Sequence, residues 1–168
     1  MAVVNTLTTV ITNADASPIV LNKAQLSKGL IHTAVGTLEA VSGDSIGSTY
    51  RFARVRTSDR IASIKLYCDA ITTCTADVGC YRTGADGGAV VDADCWGSAV
   101  SLASAITTGT EVQFEAAVVF EIAHIERQVW QVLGYATDPG YVVDIVLTLT
   151  AAAGSAGTIS LRVDFVPA

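Results

Sequence analysis

The two histidines are the first residues to consider for catalysis, because an imidazole is the usual base beside a hydrolytic nucleophile. His32 lies in a segment that alternates like a strand, and His124 lies in a segment with helical spacing. Neither setting suggests a catalytic role, and a structural or solvent-facing histidine is commoner at both places. We expect no nucleophile elbow, phosphate-binding loop or His-Glu-x-x-His zinc motif. The sequence therefore predicts a protein that is not an enzyme.

The four cysteines could form disulfides or hold a metal ion. They are Cys68, Cys74, Cys80 and Cys95, and their spacing matches no paired Cys-x-x-Cys zinc site. Without a signal peptide we expect free thiols. Cys68 and Cys80 lie in apolar stretches, which predicts that they are small core residues. No metal and no cofactor is expected.

Carboxylates are densest at Asp86, Asp92 and Asp94. Their spacing is unlike that of a helix-loop-helix calcium site, which needs acids at alternate positions, a central glycine and a closing glutamate. Asp92 and Asp94 point the same way if the chain is extended there. A weak cation site and a solvated loop are the two interpretations of this group.

Basic residues are concentrated in one short stretch: five of the ten lie within fifteen positions, at Arg51, Arg54, Arg56, Arg60 and Lys65. In a regular strand the side chains of Tyr50, Phe52, Arg54 and Arg56 would lie on one side. Aromatic residues beside arginines are favoured at protein interfaces, so these four are candidate interface residues. The alternative is a solvated face whose arginines pair with local acids such as Asp59.

The elements that would position these residues are mostly strands. Apolar and polar residues alternate from Ile61 to Ala70 and again from Ile159 to Phe165, which predicts half-buried strands. Further strands are predicted over 29–41, 48–56, 77–82 and 141–150, with a surface loop at 84–88, whereas 98–110 stays unassigned. The last two strands are predicted to form a hairpin through the connector 151–157.

One helix is predicted near position 130. Ile122, Ile125, Val129 and Leu133 recur at helical spacing, with Trp130 beside them, and Gly134 supplies a stop signal. The helix should cover about 121–133, and 112–120 is either a strand or its first turns. Closely spaced strands with a single helix indicate a mainly β fold, an antiparallel β-sandwich or jelly-roll-like domain.

Residues 1–28 differ from the rest and are predicted to form an N-terminal arm, followed by one β-sandwich domain over 29–168. The arm mixes small polar residues with short apolar pieces, and Ile19 and Leu21 are its candidate interface residues. Such a segment can fold back as an edge strand or reach a neighbouring subunit. An ordinary first strand and loop is the alternative.

Charge and composition exclude several classes of protein. A net charge of −6 is opposite to the basic face that nucleic acid or an anionic membrane requires. No apolar run reaches the roughly 18 residues of a membrane span, and the first twenty residues are unlike a signal peptide. With 51% hydrophobic and 15% charged residues, 168 residues suffice for one hydrophobic core.

Several segments together resemble small structural proteins of tailed bacteriophages. They are Ser-Thr-Tyr-Arg-Phe-Ala-Arg-Val-Arg-Thr-Ser from Ser48, Ile-Ala-Ser-Ile-Lys-Leu-Tyr-Cys-Asp-Ala-Ile from Ile61, Ala-Asp-Val-Gly-Cys-Tyr-Arg from Ala76, Arg-Gln-Val-Trp-Gln-Val-Leu-Gly from Arg127, and the closing Ala-Gly-Thr-Ile-Ser-Leu-Arg-Val. The resemblance covers most of 48–166 and includes no diagnostic catalytic or ligand motif.

The resemblance implies a capsid decoration or cement protein, made in the host bacterial cytoplasm and carried on the virion surface. Its expected partners are the major capsid protein and other copies of itself, as a dimer or a trimer. Two other functions stay open. A tail or fibre component would share this composition, and a carbohydrate-binding β-sandwich would use Trp96, Tyr81 and the Asp-rich loop as its sugar platform.

Overall fold

The fold is an eight-stranded antiparallel sandwich, described from a computed structural model that covers residues 6–114 and 122–168. The strands are β1 (His32–Ala40), β2 (Thr49–Arg56), β3 (Arg60–Cys68), β4 (Thr75–Arg82), β5 (Val90–Ser101), β6 (Ile106–Glu111), β7 (Val142–Ala151) and β8 (Gly157–Val166). Two short α-helices, α1 (Thr9–Asp15) and α2 (Val129–Val132), and 3-10 turns at Gly84–Asp86 and Ile122–His124 complete the described elements.

Two four-stranded sheets face each other across the core. The first sheet has the order β1-β8-β3-β6 and the second has the order β2-β7-β4-β5. Every neighbouring pair is antiparallel. Eight strands in two such sheets are the architecture of a jelly roll, so the predicted mainly β fold class is confirmed.

The core is formed by the side chains that both sheets turn inward. Ile64 and Leu66 on β3 are fully buried, while Lys65, which lies between these two residues, is partly exposed. Ile159 and Leu161 on β8 are also fully buried. The predicted alternation is therefore confirmed over 64–68 and 159–163. At the start of β3 the register shifts at Ala62 and Ile61 is buried instead, and Ala70 is exposed beyond the end of the strand. The predicted surface loop at 84–88 is also confirmed, because its residues are mostly exposed.

The last two strands do not form the predicted hairpin. β7 pairs with β2 and β4 in the second sheet, whereas β8 pairs with β1 and β3 in the first. The connector between them therefore crosses from one sheet to the other, and its residue Ala153 is buried. The prediction fails because alternation shows that each strand has an inner face but does not show which strand lies beside it.

The predicted helix over 121–133 is also wrong in its extent. The described part holds the 3-10 turn Ile122–His124 and the four-residue helix α2, and Gln128 before α2 has an extended backbone. The N–H groups of Val129 and Trp130 donate to the carbonyls of Asp59 (2.8 Å) and Thr57 (2.9 Å) in the turn between β2 and β3. These bonds to another element fix where α2 begins.

Two sequence predictions lie partly outside the described residues. These are the first five positions of the arm and 115–121, which include most of the ambiguous segment before the predicted helix. The unassigned segment 98–110 contains the end of β5 and most of β6. Among the described residues, none of the helices is long and apolar enough to cross a membrane.

Candidate functional site

A bulge in β2 decides which way its side chains face. Arg51 is opposite Val146 of β7 and Ala53 is opposite the next residue, Ile145, so Phe52 is an extra residue in the ladder. A bulge changes the phase of alternation, because two residues on one strand then oppose one on the other. The prediction that Tyr50, Phe52, Arg54 and Arg56 lie on one side is therefore wrong.

The two aromatic residues pack against the core. Tyr50 is opposite the buried Leu147, and its hydroxyl donates to the carboxylate of Asp44 (2.5 Å). Phe52 is partly buried and borders Gly36 of β1, where an added Cβ would lie 2.9 Å from the Phe52 carbonyl oxygen. Both side chains therefore stabilise the contact between β1 and β2, and the arginines are left on the outer face.

On that outer face two arginines, Arg51 and Arg54, bind the carboxylate of Asp144, and Arg56 follows them on β2; we call Arg51, Arg54, Arg56 and Asp144 the arginine patch. The Arg54 Nε donates to Asp144 Oδ1 (2.7 Å), and the Arg51 Nη1 donates to Asp144 Oδ2 (2.9 Å). Arg51 also donates to the carbonyls of Arg82 and Gly88. Arg54 and Arg51 are thus held in place by Asp144 on β7.

The charge state of Asp144 follows from these contacts. Burial raises the pKa of its carboxyl group, but the hydrogen bonds from Arg54 and Arg51 outweigh burial, so the pKa lies below its usual value. The carboxylate is therefore ionised at neutral pH. Asp59, the local acid named in the alternative interpretation, instead accepts a hydrogen bond from the backbone N–H of Arg56 (2.8 Å).

Arg56 is exposed, as Arg54 is, but it differs from the other two arginines of the patch in its partners. Its guanidinium has no ion-pair partner among the residues of 6–114 and 122–168, whereas Arg51 and Arg54 both have one. It borders a shallow cavity of about 410 Å³ that is also lined by Tyr141 and Val142. An exposed guanidinium beside an aromatic ring is suited to binding another protein.

The arm is attached to the sandwich by its last residues. The Arg60 Nε donates to the carbonyl of Gln25 (2.8 Å), and the Gln25 side chain donates to the carbonyl of Ser58 (3.4 Å). Gln128 donates to the same carbonyl (2.6 Å). The turn between β2 and β3 therefore holds both the end of the arm and the start of α2.

Earlier in the arm, the chain folds mostly on itself. The Asn13 side chain donates to Asn22 (2.8 Å), and Asn22 donates to the carbonyl of Val10 (3.1 Å), so α1 lies against residues 19–22. No residue of α1 is buried. Ile19 is 71% exposed and Leu21 is 92% exposed. Both are available to a partner.

Exposed apolar side chains are concentrated in the first third of the chain. Eleven of the fifteen large hydrophobic residues that are exposed in the described structure lie between positions 7 and 46: Leu7, Ile11, Ile19, Val20, Leu21, Leu30, Ile31, Val35, Leu38, Val41 and Ile46. They belong to the arm, to β1 and to the loop that follows it. Contiguous exposed apolar surface marks an interaction site.

The residues considered for catalysis are dispersed. His32 is exposed at the start of β1, where its ring centre lies 5.8 Å from that of Phe165, and His124 ends a 3-10 turn. The letters Gly-x-Ser-x-Gly occur once in the sequence, at 43–47. This segment joins β1 to β2, and no helix follows it, so it is not the strand-to-helix elbow of hydrolases.

The remaining candidate sites are structural. All four cysteines are buried as free thiols, which confirms Cys68 and Cys80 as core residues. Asp86 contacts Arg82 (3.5 Å) and accepts a hydrogen bond from Thr83, and no group of three metal-ligating side chains occurs in the described part of the chain. Trp96 and Tyr81 are buried, so the predicted sugar platform is wrong. Trp96 belongs to the core, whereas Tyr81 is opposite Asp144 and lies under the Arg51 guanidinium (5.6 Å from its ring centre), a cover that strand alternation does not reveal.

Sequence reasoning missed Asp144 as the centre of the arginine patch. A signal was present, because Asp144 is the only charged residue between Val142 and Ala151. A carboxylate within an apolar central strand needs a cationic partner, and the basic stretch around Arg51 supplies one. The exposed edge of β1 was also missed, since its sequence resembles that of any half-buried strand.

Comparisons with known proteins support the fold. No protein-family model matches the chain, and no curated protein matches it. A chain of the cyanophage Pam1 capsid asymmetric unit matches 83% of this chain over 86% of its own length, with a TM-score of 0.50 and 11% sequence identity. A chain of the Ralstonia phage GP4 capsid matches 82% of this chain over 85% of its own, with a TM-score of 0.48 and 17% identity. The chain therefore shares its fold with the Pam1 capsid chain.

Proposed function

We propose that this chain is a non-enzymatic structural protein of a tailed-phage virion, where it decorates the outer surface of the capsid and bridges major capsid subunits. The observation that carries the proposal is the fold shared with a chain of the Pam1 phage capsid over 83% of this chain. The resemblance of the sequence to tailed-phage virion proteins points the same way.

The distribution of surface residues supports a binding role. The arm and β1 expose an apolar surface, and the arginine patch exposes Arg56 beside Tyr141. These are two separate surfaces, and a bridging protein needs at least two contacts. Each contact needs only modest affinity, because a protein that binds through several linked contacts is held more tightly than any one contact alone would hold it.

Binding to purified heads of the phage that encodes the chain tests the proposal. Heads without the protein should take up the wild-type chain to a defined copy number and should then withstand more heating before they release DNA. Ile19→Ser with Leu21→Ser should reduce occupancy at least roughly tenfold, since two exposed apolar anchors are worth about 1.4 kcal/mol or more together. Val90→Ser, at an exposed valine on β5, is the matched control.

The arginine patch is tested separately by Arg56→Ala. Arg56 has no ion pair in the described structure, so its loss should weaken binding to heads and leave the isolated domain folded. Lys65→Ala, on the outer face of the other sheet, is the control for loss of one positive charge. Wild-type occupancy for both the arm variant and Arg56→Ala would show that other surfaces bind. A wild-type chain that never binds heads would refute the function.

A further inference from the structure

β1 is the unprotected edge strand of the sandwich. Exposed strand edges invite pairing with another chain, and proteins prevent it with charges, bulges, prolines or short edges. The other three edges carry such protection. β2 has a bulge and three arginines, β5 has several register shifts against β4 and two aspartates, and β6 has only six residues.

In contrast, β1 has the features that favour pairing. Its nine residues pair with β8 without a single register shift, it contains no proline, and its titratable side chains are His32 at its first position and Glu39. Val35 is 66% exposed, and Leu30 and Ile31 extend the apolar surface before the strand. No described residue pairs with the outer edge of β1.

Charge identifies the partner that best fits this edge. Residues 6–41 contain two acids, Asp15 and Glu39, and two bases, Lys23 and Lys28, so their net charge is zero although the whole chain carries −6. Two copies of an acidic protein repel each other over most of their surfaces. The arm and β1 form the neutral, apolar part of the surface, so two copies that bind through it repel each other least.

We propose that β1 pairs antiparallel with β1 of a second copy, so that two four-stranded sheets join into one eight-stranded sheet across a two-fold axis. An antiparallel edge is self-complementary under such an axis, which is the commonest symmetry of homo-oligomers. This inference deepens the proposed function. It rests on that function for the role of the dimer, whose two copies would each bind the capsid. Pairing along the full strand places the axis at Gly36 and sets each Val35 opposite Thr37 of the second copy, so that the two Val35 side chains are diagonal neighbours on one face of the joined sheet.

Val35→Glu tests the pairing with little risk to the fold. Within one chain, position 35 is exposed and opposite Arg162 of β8, whose guanidinium binds Asp164 (2.6 Å), so a glutamate there lies beside a positive charge. Across the proposed axis, the two glutamates would be diagonal neighbours on one face of the joined sheet and would repel each other. Sedimentation velocity of the full chain should show a concentration-dependent dimer for the wild type and a dimer dissociation constant raised at least roughly tenfold for Val35→Glu.

Val90→Glu is the matched control, because Val90 is an exposed valine (58%) on the edge strand β5. It should leave the dimer intact. Amide hydrogen exchange adds a readout that needs no variant: wild-type β1 amides should become protected as concentration rises, while β5 amides should not. A wild-type chain that is monomeric at every concentration, one that forms a trimer, or a dimer unchanged by Val35→Glu would each overturn the inference.

These measurements use no phage heads, so their failure is distinguishable from failure of the proposed function. If the wild-type chain is monomeric and Val35→Glu still lowers its occupancy on heads, β1 accepts a strand from the capsid instead of from a second copy. That result would refute β1 self-pairing and leave the decoration role standing. If the dimer forms and heads bind none of it, the decoration role fails.

Discussion

At the scale of single residues, Asp144 makes the most consequential polar contacts of the second sheet. Replacing it with asparagine leaves Arg51 and Arg54 without their carboxylate, and hydrogen bonds to charged groups are worth about 1.5 to 3 kcal/mol each. Because both arginines are partly exposed, we expect Asp144→Asn to lower the free energy of unfolding by about 1 to 3 kcal/mol at pH 7. Urea denaturation would measure it.

The effect of Asp144→Asn on the free energy of unfolding should depend on pH. The pKa of Asp144 is lower in the folded chain than in the unfolded chain, so its stabilising contribution is complete above the ordinary carboxyl pKa of about 4 and is lost as the pH falls through the folded value. The difference between wild type and Asp144→Asn should therefore shrink in acid. Asp15→Asn, at an exposed carboxylate of the arm, should change stability by less than about 0.5 kcal/mol at any pH. A constant difference from pH 7 to pH 2 would contradict the role of the ion pairs.

The thiols give a second prediction at this scale. Burial raises the pKa of Cys68, Cys74 and Cys95, so few thiolates are present at neutral pH in the folded chain. A disulfide reagent such as DTNB should react slowly with native protein and should titrate four thiols per chain after unfolding under argon. Rapid labelling of the native chain, or fewer than four thiols after unfolding, would contradict this account of the cysteines.

At the scale of elements, the sequence was informative wherever alternation was regular. The inner faces of β3 and β8 could be predicted because each packs between two strands and has one solvent-facing side. The orientation of β2 could not, since the bulge at Phe52 inverts the pattern and no residue type in the stretch indicates a bulge. The interface prediction for Tyr50 and Phe52 depended on that orientation. Of the four residues in that prediction, only Arg54 and Arg56 lie on the outer face.

Gly79 on β4 tests the close approach of β4 and β5. A Cβ at this position would lie 2.2 Å from the Asp92 carbonyl oxygen, and backbone atoms cannot move away as a flexible side chain can. Gly79→Ala should lower the free energy of unfolding by about 2 to 4 kcal/mol. Gly84→Ala, where an added Cβ meets no atom within 4 Å, should change it by less than about 0.5 kcal/mol. Equal effects of the two would refute the packing of β5 on β4.

The short helix α2 leads to a different stability prediction from that of the long helix expected over 121–133. Leu133 follows α2 and is only partly buried, whereas Leu147 on β7 is fully buried. Leu147→Ala should destabilise the chain by about 3 to 4 kcal/mol and Leu133→Ala by about 1 to 2 kcal/mol. Thermal and urea denaturation would measure both. A larger loss at Leu133 would favour the long buried helix.

At the scale of the whole molecule, composition and spacing were enough to predict a mainly β sandwich, but not how its strands connect. The hairpin expected at the C-terminus failed because β7 and β8 lie in opposite sheets, and such pairing depends on contacts distant in sequence. The exposed apolar residues show the same limit of prediction from sequence. Ile19 and Leu21 could be named from sequence as exposed anchors, whereas the open edge of β1 required the strand order.

The proposed bridging role requires that the chain be on the head surface and touch more than one subunit. Cryo-electron microscopy of particles from the phage that encodes the chain measures both directly. The proposal predicts density for the eight-stranded sandwich on the outside of the head, with each copy contacting at least two major capsid subunits. Density for the sandwich in the tail, or on the head with contact to a single subunit, would contradict it.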